Sequence, residues 1–404
     1  MAAHQACLNI DELRQRARRF LPRGLFEYID RGTEDESALR RLRDSFEQAE
    51  LTPRVLVDCG ERHTGVTLFG RERPLPFVIA PTAAAGLVRY DGEVLLARAA
   101  RAAGIPFCVS TQSITSIEAI AEARAELWFQ LYVWRDRSLT HALLDRVAAC
   151  GVDTLILTVD TAVSPKREYN RHNGFNVPVT PSLRGALDVA RHPAWAGGVL
   201  LRLLADGGWP GYAHYPPQFR TRITDAAAHD PIRLCDRVSW DDVAELRRRW
   251  RGRIIIKGLL APEDAVRAAD AGVEAIVVSN HGGRNLDCAP SPLAVLPRIM
   301  DAVGDRMTVL ADSGVRRGSD AAKLLAAGAA AVLLGRAPLF GLAAGGQAGA
   351  EHALAILQDE LDRTMALLGC RTVAELRTVS SPGGEGDLPG AMILWRFGQK
   401  PPTS

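Results

Sequence analysis

IIIKGLLAPEDAVRAADAGVEAIVVSN, residues 254–280, is the stretch that decides the fold. Two short apolar runs, IIIKGL (254–259) and AIVVSN (275–280), flank an Ala-rich helical pattern at 262–271. Neither run alternates apolar with polar residues, as expected of parallel strands covered on both faces. Strand, helix and strand in that order make one unit of a parallel sheet.

The same rhythm extends in both directions. Upstream lie PFVIAPTA (76–83), PFCVS (106–110), LWFQLY (127–132) and TLILTVD (154–160); downstream lie TVLADSG (308–314) and AVLLGR (331–336). Helical patterns fall at 91–103, 116–125, 137–150, 239–250, 292–302, 318–327 and 350–368. Eight such units close a cylinder. The sequence therefore predicts an α/β fold, a (β/α)8 TIM barrel in a single domain over 1–404, with its core at about 76–370. Polar helices at 8–20 and 23–30 precede it as an extension, and 33–75 reads as mixed. More than ninety residues separate the fourth and fifth strands, against the usual ~2–6 for such a loop. The excess, centred on 181–230, is a long insertion carrying Trp195, Trp209, Tyr212 and Tyr215. It reads equally as a lid, a subunit contact or membrane patch, and as a decorated loop.

Composition sets outer limits. The chain is 47% hydrophobic and 24% charged, ordinary for a globular protein. A net charge of +2 gives no electrostatic case for nucleic acid. Seven cysteines without a CxxC pair point to reduced thiols, and no metal site is expected. The N-terminus lacks an apolar signal core, and no run reaches the ~18 apolar residues of a spanning helix. The expected location is cytoplasmic, with peripheral membrane contact left open.

Chemistry concentrates where the runs end, the face on which this fold builds its sites. Asp160 and His281 end different strands and point at one mouth, where a carboxylate orients an imidazole as general base. Arg167 and Arg284 follow the fourth and sixth strands and suit a carboxylate ligand. Of 49 basic residues only Lys166, Lys257, Lys323 and Lys400 are lysines, yet Lys257 sits inside an apolar run. A buried cation needs a partner. A cofactor would serve, and so would a structural ion pair with Asp160 or Asp312. ADSGVRRGSD (311–320) and LLGRA (333–337) follow the last two strands, where barrels often bind phosphate. These features describe a barrel holding a phosphorylated group beside a His base and Arg clamps; alone they do not name flavin.

IAPTA (79–83), WFQLYV (128–133), LTVD (157–160), IIIKGLL (254–260), VSNHGGRNLD (278–287), ADSGVRRGSD and LLGRA together resemble the FMN-dependent L-2-hydroxy-acid oxidases and dehydrogenases. The resemblance spans about residues 8–370, includes LPRGLFEYIDRGTED (21–35), and leans to the mandelate and lactate dehydrogenase branch. It implies oxidation of an L-2-hydroxy acid, mandelate-like or lactate, to the 2-oxo acid, with electrons leaving to O2 or a quinone. It implies that His281 takes the substrate proton, paired with Asp160. Arg167 and Arg284 would clamp the carboxylate, and Tyr28 and Tyr132 would hydrogen-bond the substrate. FMN would contact Pro81, Thr82, Ala83, Ser110, Gln130, Thr158, Lys257 and Ser279. Asp312, Ser313, Gly314, Val315, Arg316, Gly335 and Arg336 would hold its ribityl phosphate. Gln112 and Ser164 replace bulky residues of glycolate oxidase, which implies a roomier pocket. Ala83 is similar to the oxidases, where mandelate dehydrogenase has Gly. The insertion falls where membrane-bound members attach, and a homotetramer is expected. The rival readings are another phosphate-binding barrel, an isomerase or dehydrogenase, and a non-catalytic membrane-associated barrel.

Overall fold

The computed structural model describes residues 3–175, 179, 182–219, 222–224 and 230–379, so the insertion anticipated at 181–230 lies partly outside the described residues. Among the described residues ten strands are present: a hairpin of β1 (Val66–Leu68) and β2 (Arg71–Arg73), then β3 (Phe77–Ile79), β4 (Phe107–Ser110), β5 (Leu127–Leu131), β6 (Thr154–Thr158), β7 (Arg253–Leu259), β8 (Ala275–Val278), β9 (Thr308–Ala311) and β10 (Val332–Leu334). Strands β3 to β10 are parallel and closed, with β10 returning to β3. All eight apolar runs are barrel strands. Most stop short of their polar ends, because those residues leave the ladder to form the rim.

Alternation inside the barrel builds the site. Val78, Cys108, Trp128, Ile156, Ile255, Val277, Leu310 and Leu333 form one buried interior cluster. Side chains on one face of a strand recur every second residue. The next inward layer is therefore Ala80, Ser110, Gln130, Thr158, Lys257, Ser279, Asp312 and Gly335. An apolar floor thus supports a mostly polar layer at the C-terminal mouth. The other end is plugged: Leu68 of the hairpin joins the interior cluster and the Phe69 ring packs 5.9 Å from that of Trp128.

The region read as mixed at 33–75 contains that hairpin and a helix, Ser37–Gln48. The helix expected at 350–368 starts earlier, at Arg336, and runs to Leu367 across a kink at Gly345 and Gly346. The insertion is not a bare loop. It carries helices Leu183–Ala190 and Leu201–Gly207, and the helix Glu168–Asn173 precedes it. Trp195 pins it to the barrel, its Nε1 donating to the Leu87 carbonyl at 2.7 Å. Leu183, Leu187 and Leu201 of these helices face solvent. Among the described residues no helix is long and apolar enough to cross a membrane.

Candidate active site

A cavity of about 740 Å³ opens at the mouth, within the range of small-molecule sites. Every residue anticipated for the site lines it except Asp160 and Ser279, each bonded to one that does. Tyr212 and Tyr215 of the insertion also line it, so that part of the insertion walls the mouth.

His281 Nδ1 lies 2.8 Å from Asp160 Oδ1. A carboxylate only accepts, so Nδ1 carries the proton. Nε2 then has no protein partner among the described residues and is left for the cavity. Burial works to raise the Asp160 pKa, but the facing imidazole and Lys257 outweigh it and hold the carboxyl down at about 2. Asn285 fastens the pair from behind, donating to the Asp160 carbonyl at 2.8 Å and to its Oδ1 at 3.3 Å. Gly258 makes room for it. At φ +112, in the register shift of β7, it passes so close that a Cβ would stand 2.6 Å from Asp160 Cβ. Asn285 and Gly258 were not singled out from sequence: the first carries no charge, and the second is recognisable only once β6 and β7 are paired.

The glycines after His281 make room for protein neighbours. His281, Gly282 and Gly283 run at φ +58, +69 and +69. A Cβ on Gly283 would meet the Leu39 backbone nitrogen at 2.7 Å, and one on Gly282 the Arg336 guanidinium at 3.1 Å. They let the His281 loop sit against the helix Ser37–Gln48. The αL strain of His281 is of the kind that clusters at working sites.

Cations gather around the cavity. Lys257 is buried and pairs with Asp312 at 2.9 Å, its Nζ also donating to Ser279 Oγ at 2.8 Å. Burial opposes its charge, but Asp312 and Asp160 outweigh that and hold the ammonium above its ordinary range. The structural ion pair is thus real, and Lys257 also lines the cavity. Asp312, being committed to Lys257, is suited to a hydroxyl and not to a phosphate. Arg284 Nη1 donates to the carbonyls of Tyr28, Ile29 and Arg31, with 3.2 Å to each of the last two. Arg336 donates to Ile29 O at 3.0 Å and Gly282 O at 2.8 Å. Among the described residues neither pairs with a carboxylate, and nor does Arg167. Burial, then the neighbouring Arg167, pulls the Arg284 pKa down to about 10; burial, then Arg284, pulls Arg336 down to about 9. The guanidiniums of Arg167 and Arg284 lie 5.7 and 5.0 Å from the Tyr28 ring centroid. Nearby, Asp320 accepts from the N–H groups of Arg316 and Arg317 at 2.9 and 3.0 Å. The N–H groups of Gly314 and Val315 have no protein acceptor among the described residues, so they and the guanidiniums of Arg316 and Arg336 are what remains for a phosphate.

FMN fits this lining. Thr82 Oγ1, Gln130 Nε2 and Thr158 Oγ1 are buried at the mouth without a hydrogen-bond partner. Each such group is destabilising by about 1–3 kcal/mol until satisfied. A flat polar ring offers acceptors and donors to these groups and to Lys257, and its phosphate offers charge to Arg316 and Arg336.

A closed parallel barrel with an oriented imidazole, guanidiniums without carboxylate partners and orphaned polar groups at one mouth fits a flavin-dependent barrel oxidoreductase. Comparison with known proteins makes this specific: the chain belongs to the FMN-dependent dehydrogenase family, whose profile matches residues 17–380. It is 41% identical over 377 residues to L-lactate dehydrogenase of Caulobacter vibrioides (strain NA1000 / CB15N), covering 90% of this chain and 95% of that one. It is 38% identical over 373 residues to (S)-mandelate dehydrogenase of Pseudomonas putida, covering 92% and 93%. The crystal structure of the monotopic membrane protein (S)-mandelate dehydrogenase superposes with a TM-score of 0.86 at 38% identity, over 92% of this chain and 98% of that one. The protein is an oxidoreductase of 2-hydroxy acids with FMN as cofactor. Neither an isomerase nor a non-catalytic barrel agrees with that membership.

Proposed function

We propose that the whole chain acts as one catalytic domain oxidising an L-2-hydroxy acid with an aromatic or medium-sized side chain, mandelate-like in preference to glycolate, with lactate as the near alternative. The observation that carries this is the His281–Asp160 pair set beside Arg167 and Arg284 around one ring, Tyr28. Arg167 and Arg284 hold the substrate carboxylate. Tyr28 and Tyr132 donate to substrate oxygens; burial, then Asp160, pushes the Tyr132 pKa up to about 12, so its hydroxyl stays protonated. His281 Nε2 takes the substrate proton, and the ionised Asp160 stabilises the imidazolium. The flavin, when bound, supplies the two-electron acceptor. Pro81, Thr82, Ala83, Ser110, Gln130, Thr158 and Lys257 would hold its ring, with Ser279 supporting Lys257, and residues 313–316, Gly335 and Arg336 its phosphate. Room for a larger side chain comes from Gln112 and Ser164, which line the cavity with Tyr212 and Tyr215, two rings 5.1 Å apart.

Electrons then leave to O2 or a quinone. The exposed Leu183, Leu187 and Leu201, interleaved with Arg184, Arg191 and Arg202, support peripheral attachment to an anionic membrane face. A homotetramer is the assembly we assign. The test is anaerobic bleaching of the yellow protein by a panel of acids: (S)-mandelate should give a higher kcat/KM than L-lactate, and glycolate the lowest. Glycolate matching mandelate overturns the substrate assignment. Reoxidation of the bleached protein by air against a soluble quinone separates the acceptors.

A further inference from the structure

We propose that Asp188 is a positioning residue for the substrate site, acting from the insertion through the helix Arg23–Asp30. This rests on the reading that Tyr28 and Arg284 hold the substrate. That helix is preceded by Pro22, which offers no side-chain cap. The first N–H groups of a helix have no partner within it. Asp188, 165 positions away on the helix Leu183–Ala190, supplies the missing acceptor: Arg23 N–H donates to its Oδ2 at 2.7 Å. A second tie runs parallel, Asn173 Nδ2 donating to Glu27 Oε2 at 2.7 Å. Gly24 brings the two segments close, since a Cβ there would stand 2.8 Å from Phe175 Cβ.

The other end of the same helix enters the active site. Its last carbonyls are held by Arg284 and Arg336, both of which donate to Ile29 O as a common anchor, at 3.2 and 3.0 Å. Tyr28 lies one residue before that anchor, against the guanidiniums of Arg167 and Arg284. The eight-residue helix is therefore a strut, fixed by the insertion at its start and by two site arginines at its end. Without Asp188 its first turn frays, and Tyr28 and Arg284 lose their shared register. Asp160, His281 and Lys257 belong to other elements and keep theirs.

The experiment uses full-length, FMN-loaded Asp188→Ala and Asp188→Asn proteins. Asp188→Ala should raise KM for the hydroxy acid about threefold to tenfold, as loss of a helix cap transmitted to binding implies. Its kcat should stay within about twofold and its flavin content unchanged. Asp188→Asn keeps an acceptor oxygen and should return KM to within about twofold of the parent. An unchanged KM in Asp188→Ala overturns the proposal. So does a joint fall of flavin content, kcat and affinity that Asp188→Asn does not repair, because that marks general destabilisation. Tyr28→Phe and Arg284→Lys run beside them: if these raise KM and Asp188→Ala does not, only the role of Asp188 falls. If they too leave KM unchanged, the substrate site has been misplaced and both readings fall.

Discussion

Gly258→Ala offers a test of the site that involves no group taking part in the chemistry. The glycine sits at φ +112, where an added Cβ would lie 2.6 Å from Asp160 Cβ and 2.8 Å from its Cγ. Carbon atoms in contact need about 3.5 Å, so Asp160 must retreat by roughly 0.9 Å. The His281–Asp160 hydrogen bond is 2.8 Å; a retreat of that size directed along the bond lengthens it to at most roughly 3.7 Å, beyond hydrogen bonding. The imidazole then loses both its tautomer control and its orientation. A misplacement near 1 Å costs about 10²-fold in rate. The unfavourable backbone angle for an L residue adds about 1–3 kcal/mol of destabilisation. Lys257 keeps Asp312 and Ser279, so flavin should remain bound. The assay is stopped-flow bleaching without oxygen, on protein whose visible absorbance shows full flavin occupancy. A flavin-loaded Gly258→Ala protein that bleaches within about threefold of the parent, against the ~10² expected, would refute the claim that this glycine exists to seat Asp160.

Other consequences follow from the same geometry. His281→Gln should stay yellow and lose bleaching by at least ~10²-fold, the low end for removing a general base; an unchanged rate takes His281 out of the mechanism. The folded Asp160 pKa is lowered from 3.8 to about 2. Its stabilisation, about 2 kcal/mol, is therefore fully present above pH ~4 and disappears as pH falls through ~2. In urea titrations the gap between the parent and Asp160→Asn should shrink across that window, and a gap independent of pH contradicts the shift. Lys257→Met leaves Asp312 buried without its cation, which should lower stability by about 3–5 kcal/mol and weaken FMN binding. Adding Asp312→Asn should recover stability but not flavin affinity; recovery of both would make Lys257 purely structural. Replacing Leu183 and Leu187 by Ser should reduce pelleting with anionic vesicles while bleaching survives, and unchanged pelleting removes that face from membrane attachment.

The barrel was legible because parallel strands buried on both faces read as unbroken apolar runs, and because Lys257 and Gln130 interrupt such runs without a surface reason. Period-two alternation then fixes which residues reach the mouth: Thr158 and Lys257 stand opposite each other on β6 and β7, each two residues beyond an interior isoleucine. The helix Ser37–Gln48 was not legible. Its buried residues Ala38, Leu42, Ser45 and Phe46 make a thin stripe on a polar, Arg-rich segment, and its place is decided by what it meets. Leu42 packs where a Cβ on Gly314 would stand, at 3.0 Å, so the helix and the phosphate-side loop shape one another. The hairpin of β1 and β2 was hidden for another reason: three-residue strands are too short to show a period. Gly282 and Gly283 show in the sequence that backbone must come close without showing to what, and the fold supplies Arg336 and Leu39.

The allocation of carboxylates explains why the site holds together electrostatically. The mouth contains Lys257 and the guanidiniums of Arg167, Arg284, Arg316 and Arg336, and among the described residues the acids bonded to His281 and Lys257 are Asp160 and Asp312. Each is committed: Asp160 to His281 at 2.8 Å, Asp312 to Lys257 at 2.9 Å. Were Asp160 to move to Lys257, the base would lose the partner that stabilises its protonated form. The bulge at Gly258 opposes this by letting the chain pass behind Asp160 while Lys257 turns to Ser279 and Asp312. Among the described residues Arg167, Arg284 and Arg336 are thereby left without a carboxylate partner, Arg316 having only Asp30 at 3.9 Å, in a setting that penalises charge, and burial lowers Arg284 and Arg336 accordingly. Such a penalty is relieved by anions that bind. Two regions of the mouth can receive them, Arg167 and Arg284 beside Tyr28, and Arg316 and Arg336 beside Gly314 and Gly335. A substrate carboxylate and a cofactor phosphate are the pair of anions we propose for these two regions, and the helix Arg23–Asp30, held by Arg284 and Arg336 together, links them.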